Sequence, residues 1–151
     1  MFHPLDLVLA VLHHLGILAL AGCLVGELAA LSLPPGHRWA ETLPRIDLAY
    51  GISAGALLSI GLARVFWGAK GSGFHLENPV FWVKLCLFIV IGLVSIRPTM
   101  TFLRWRRVAR MAGGVPAVTE IASTRHWVLL QMGLLLSLPI FAALMARGIG
   151  L

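Results

Sequence analysis

Acidic side chains are scarce in this chain: six Asp and Glu among 151 residues, against twelve Lys and Arg, with charged residues only 12% of the total. A soluble domain carries about 25% charge, so this composition does not supply a water-facing surface. Cysteine is limited to Cys23 and Cys86, with no CxxC and no Cys/His spacing of the zinc type, so a structural zinc site is not expected. A nucleophile elbow, a Gly-Lys-Ser phosphate loop and a carboxylate pair on a cleft are all not expected, which argues against hydrolase and nucleotide chemistry. The first six residues, Met-Phe-His-Pro-Leu-Asp, contain no Lys or Arg, and the apolar run after them is too long for a signal peptide. That run is expected to stay in the mature protein.

What the chain has is long hydrophobic stretches. Hydrophobic residues make up 59%, and four segments approach or exceed the roughly 20 residues that cross a hydrocarbon core of about 30 Å. They run over residues 5–31, 48–67, 79–100 and 127–146. The expectation is an all-α fold: one integral membrane domain over residues 1–151, built as an antiparallel bundle of four transmembrane helices. No linker and no internal repeat divides it.

The basic residues are unevenly placed. Arg38, Arg45, Arg97, Arg104, Arg106, Arg107, Arg110 and Arg125 flank the first and third connections, and only Arg64, Lys70, Lys84 and Arg147 lie on the other side. Eight against four is a positive-inside bias. It puts the first and third loops in the cytoplasm and both termini outside, periplasmic for an inner-membrane protein. The basic run from Arg104 to Arg110 then reads as topology and attraction to anionic lipid, not as a nucleic-acid site. The first loop, Ser32 to Pro44, is expected to be a short turn around Pro34-Pro35-Gly36. Pro79 after Asn78 suits a helical first turn. The segment after Arg97 can continue the third span as an amphipathic helix up to Gly113-Gly114. The pairs Gly22/Gly26 and Gly51/Gly55 predict close packing of the first two spans, within one bundle or across a homodimer.

Ionisable residues inside hydrocarbon are functional candidates by default. An outer layer holds His13, His14, Arg64 and Lys84, with His13 about 12 Å and Lys84 about 8 Å below the boundary at 1.5 Å per residue. Apart from Glu77 in the adjoining loop, this layer is basic only. It invites an anion, such as haem propionates, a quinone oxygen or a carboxylate, unless Arg64 and Lys84 simply snorkel to headgroups. An inner layer holds Glu27, Arg45, Asp47 and Arg97, expected to be ion-paired or to form a proton path. At about 100° per residue, His13 and Glu27 share a helix face and His14 does not. A second deep histidine is missing from the other spans; His3, His75 and His126 are peripheral.

The segments Arg64-Val-Phe-Trp-Gly-Ala-Lys-Gly, Asn78-Pro-Val-Phe-Trp-Val-Lys84, Ser95-Ile-Arg-Pro-Thr99 and Phe102-Leu-Arg-Trp-Arg-Arg107, with His13-His14, Glu27 and Asp47-Leu-Ala-Tyr-Gly51, resemble a bacterial family of four-helix membrane proteins catalogued as domain of unknown function 2214. More distantly, the chain is similar to membrane-bound enzymes that oxidise protoporphyrinogen and to copper-resistance membrane proteins of the CopD type. In the oxidase group a first-span histidine and a lysine in a Trp-x-x-Lys-Leu context are linked to haem. By that resemblance His13 or His14, and Lys84, would occupy those positions. The oxidase-type arginine after the first span is not evident here, where Glu27 stands instead.

Three functions follow as expectations. The first is a b-type haem protein with a redox role linked to a quinone or porphyrin, His13 or His14 ligating iron, Lys84 acting as second ligand or propionate partner and Arg64 holding a propionate. The second is a copper or small-solute transport module using His13, His14 and Cys23. The third is a non-catalytic membrane subunit that stabilises a partner protein.

Overall fold

The structure is a computed structural model that describes residues 4–34, 37–67, 73, 76–112, 114 and 116–147. Its four long helices are α1 (Pro4–Leu31), α2 (His37–Trp67), α3 (Pro79–Ala112) and α4 (Val118–Ala146). The described residues contain no strand. All four helices are long and apolar enough to cross a membrane. At 28 to 34 residues each, they measure about 42–51 Å and so project beyond the hydrocarbon.

Consecutive helices pack antiparallel around a square. The α1–α2 and α3–α4 interfaces are extensive and those of α2 with α3 and α1 with α4 slighter, while α1–α3 and α2–α4 stand on diagonals. Each helix offers the centre a seam with alternating steps of three and four residues. On α1 the seam runs through His13, Ile17, Leu20, Leu24, Glu27 and Leu31, and on α2 through Ala40, Leu43, Asp47, Tyr50, Leu57, Gly61 and Arg64. On α3 it passes Lys84, Phe88, Ile91, Pro98, Phe102 and Trp105, and on α4 Thr124, Val128, Gln131 and Leu135. That spacing is the signature of left-handed bundle packing.

Packing is concentrated at one end. No residue is buried over 4–19 of α1, 79–90 of α3 or 136–144 of α4. The other end, which carries the first and third connections, is clamped. Trp39 stacks on Trp105 with ring centroids 4.9 Å apart and planes 23° apart. The Trp39 indole N–H donates to the Ala30 carbonyl at 2.7 Å, satisfying an acceptor in the last turn of α1. The Trp105 indole N–H donates to Glu120 Oε2 at 3.0 Å, and Arg104 pairs with the same carboxylate. Glu41 on α2 takes Arg106 at 3.3 Å and Arg110 at 2.6 Å from α3. At the opposite end Asn78 caps α3, its Oδ1 accepting from the Val80 N–H at 2.8 Å, with Pro79 in the first helical position.

Several expectations change. The first connection is shorter than Ser32 to Pro44, because α2 already begins at His37 and includes Pro44. The proline is tolerated because α2 is held on both sides of it, by Trp39, Ala40 and Leu43 before it and by Asp47 and Tyr50 after it, all buried. The third span continues to Ala112, as the run of Leu103, Val108 and Met111 among arginines suggests, and α4 begins nine residues before 127. The first two spans do pack closely, but not through Gly22, Gly51 or Gly55, where an added Cβ would meet nothing within 4 Å. The close approach is at Gly16, whose Cβ would lie 3.0 Å from Leu57 Cδ1. Gly26, 3.5 Å from Ile46 Cγ2, makes an ordinary contact.

Gly16→Leu is therefore expected to lower unfolding stability in detergent by about 1–3 kcal/mol through overpacking. Gly22→Leu should stay within about 0.5 kcal/mol. Thermal unfolding of the two variants side by side distinguishes them.

Candidate functional site

Three of the four outer-layer residues, His13, Arg64 and Lys84, occupy the same end of the bundle on three different helices. His13 is half-buried, and the edge of its ring lies over Gly61 of α2, where a Cβ would stand 3.6 Å from His13 Cε1 and 3.9 Å from Nδ1. That spacing is ordinary van der Waals contact, so the ring packs against the α2 backbone at this position. Arg64, one turn along α2, and Lys84 of α3 both lie within electrostatic reach of His13. All three occupy seam positions, which turns two cations and an imidazole toward the bundle and not toward lipid. His13 Nδ1 is buried and has no hydrogen-bond partner.

His14 has a different environment. Its ring is exposed, and its Nδ1–H donates to the Ala10 carbonyl one turn back at 2.7 Å. The two imidazoles are edge-on with centroids 6.4 Å apart. They do not face a common point, and of the alternatives His13 or His14 only His13 stands on the seam with Arg64 and Lys84. Cys23 lies ten residues from His13, about 15 Å along the helix, and its electrostatic neighbour is Glu27. The set His13, His14 and Cys23 expected for copper is not brought together, and the described residues hold no group of three or more His, Cys, Asp or Glu side chains placed to share a metal ion. His3 and His75 lie outside the described residues.

The inner layer is built otherwise than expected. Glu27 is 1% exposed and Asp47 9%, and the two carboxylates lie within electrostatic reach of each other. They form a pair that the sequence does not advertise, since 20 residues and a helix turn separate them. Asp47 Oδ1 accepts from Thr99 Oγ1 at 2.9 Å. Tyr50 lies near both acids and beside the Gln131 side chain of α4. Oε1 of Glu27 and Oε1 of Gln131 are buried without partners. Neither Glu27 nor Asp47 pairs with Arg45 or Arg97; Glu41 and Glu120 instead take Arg104, Arg106 and Arg110. Arg45 is exposed, and the Arg97 guanidinium sits 5.1 Å from the Trp127 ring centroid, a cation–π arrangement at the membrane boundary. Asp47 and Arg45 are two positions apart on one helix, and side chains at that spacing point to different sides. Tyr50, Thr99 and Gln131 were not legible as site residues because each is an ordinary polar residue in an apolar run. Their seam or near-seam spacing is the signal that places them.

Thr99→Val removes the cross-helix hydroxyl that Asp47 uses and is expected to cost about 1–3 kcal/mol, while Thr99→Ser restores it. Thermal unfolding in detergent checks this against Ser95→Ala, which removes only a bond to its own helix.

No curated protein and no solved structure matches the chain. Residues 5–150 match the family of predicted membrane proteins designated domain of unknown function 2214, and with nearly the whole chain covered, the protein belongs to that family.

Proposed function

We propose that the protein is a b-type haem-binding membrane protein with an electron-transfer role. The observation that carries this reading is the convergence of His13, Arg64 and Lys84 from three helices around a buried imidazole nitrogen that has no partner. The donor set fits the group. A neutral imidazole is an axial ligand for haem iron, and a guanidinium and an ammonium suit its carboxylates. The loose packing of the outer halves of α1, α3 and α4 favours a large planar guest there over the clamped end. His13 would ligate iron, while Lys84 and Arg64 would hold propionates and neutralise their charge in a low-dielectric setting. Bound haem supplies one-electron transfer, and burial and ligation set its potential. A quinone or a porphyrin-like reductant is the corresponding partner class.

Visible spectra of the protein purified in mild detergent and supplemented with haem test the reading. A Soret band, with α and β bands sharpening on reduction, is expected. His13→Ala should abolish it, His14→Ala should retain it, and Lys84→Met should weaken haem affinity about tenfold, the value of one charge-assisted contact of about 1.4 kcal/mol. A colourless supplemented sample contradicts it.

The arginine asymmetry supports a place in the bacterial inner membrane with the first and third connections cytoplasmic and both termini periplasmic. A C-terminal alkaline phosphatase fusion should be active and a C-terminal green fluorescent protein fusion dark. The reverse pattern would invert the topology.

A further inference from the structure

A cavity of about 240 Å³ opens between α2 and α3 in the half of the bundle away from His13. For comparison, a cavity of about 150 Å³ accepts benzene. Its lining is amphipathic along the helix axes. Asp47, Tyr50 and Thr99 stand at the end nearer the Trp39–Trp105 clamp, and Ala54, Phe88 and Ile91 line the stretch toward the middle of the bilayer. From Asp47 to Ala54 the rise is about 10 Å, and from Thr99 back to Phe88 about 16 Å. These are the proportions of a single-headed amphiphile lying in the leaflet with its head at the boundary.

The charge at the polar end selects the head. Asp47 has one hydrogen bond from Thr99, and the Glu27 carboxyl lies within electrostatic reach of it. Neither carboxylate takes part in an ion pair among the described residues. Glu27 Oε1, in a residue 1% exposed, has no hydrogen-bond partner. A carboxylate in a poorly solvated place holds its charge only beside a cation or several donors, so an ammonium at Asp47 supplies the partner that the helices do not. The ring of Tyr50 beside them adds a face suited to an ammonium. The apolar walls are unsuited to a hydrated metal ion.

We propose that this groove binds an amphiphilic alkylammonium, its charged head on Asp47 with Glu27 behind and its apolar body along Ala54, Phe88 and Ile91. The proposal is independent of the haem reading, since it uses other residues at another depth. The ammonium is supplied either by a lipid headgroup such as phosphatidylethanolamine or by a free amphiphilic amine.

Octylammonium and octanol, titrated against the delipidated full-length protein in dodecyl maltoside and read by calorimetry and thermal shift, test it. Octylammonium should bind at least tenfold more tightly than octanol. Asp47→Asn should weaken octylammonium at least tenfold while leaving octanol unchanged. Gly92→Leu supplies a second variant: Gly92 lines the cavity, and a Cβ there meets nothing within 4 Å, so the larger side chain fills the groove without disturbing the fold. It should weaken both probes. Competition by phosphatidylethanolamine identifies the lipid as the source, and its absence identifies a free amine. Equal affinity for octanol and octylammonium, or wild-type affinity in both variants, overturns the proposal.

Discussion

The stack of Trp39 on Trp105, with its two indole hydrogen bonds, is the contact on which the arrangement of the bundle depends. Each ring touches a neighbour and spends its only polar atom on a third element: Trp39 on the last turn of α1, Trp105 on Glu120 of α4. All four helices are thereby registered at one level. Lipid tails are as apolar as leucine, so association within a membrane relies on close packing and hydrogen bonds and not on a hydrophobic drive. A clamp of this kind, reinforced by Glu41 between Arg106 and Arg110, lets the far end stay loosely packed without loss of the fold. His13, Arg64 and Lys84 sit at that looser end.

The polar residues use the same geometry as the leucines. His13 and Glu27 alternate with Leu20, Leu24 and Leu31 along one seam of α1, and Asp47, Tyr50, Gly61 and Arg64 do so on α2. A seam position turns a charged group away from hydrocarbon and toward other protein atoms, which is the one place in a membrane where it is tolerable. The bundle therefore carries two polar centres of opposite sign stacked along its axis. The outer centre is a basic one built on α1, α2 and α3, and the inner one is acidic and built on all four helices. Opposite signs at opposite depths are why we propose carboxylates as ligands for one centre and an ammonium for the other.

Much of the architecture is legible in the sequence because it rests on local periodicity. The four helices, the extension of the third span to the glycines at 113 and 114, the helical start at Pro79 and the shared face of His13 and Glu27 all follow from run length or from 100° per residue. What is not legible depends on partners distant in sequence. Trp39 and Trp105 are 66 residues apart, and nothing local marks them as a pair. Glu41 and Glu120 take up the arginines, leaving Glu27 and Asp47 to each other, and that division is decided by side-chain reach at the ends of helices longer than their apolar runs. Pro44 reads as a loop residue because local rules penalise it, yet packing on both sides of it keeps the helix intact. Gly16 matters because of what faces it, Leu57, whereas the more conspicuous pairs 22/26 and 51/55 include three glycines that face open space.

Hydrogen–deuterium exchange of the protein in nanodiscs, with and without hemin, tests the central claim most directly. Hemin is expected to slow exchange around residues 10–17, 58–65 and 81–88, which carry His13, Arg64 and Lys84, and to leave the segments around Trp39 and Trp105 unchanged. Protection confined to the clamped end, or none anywhere, would contradict a ligand site at the outer half of the bundle.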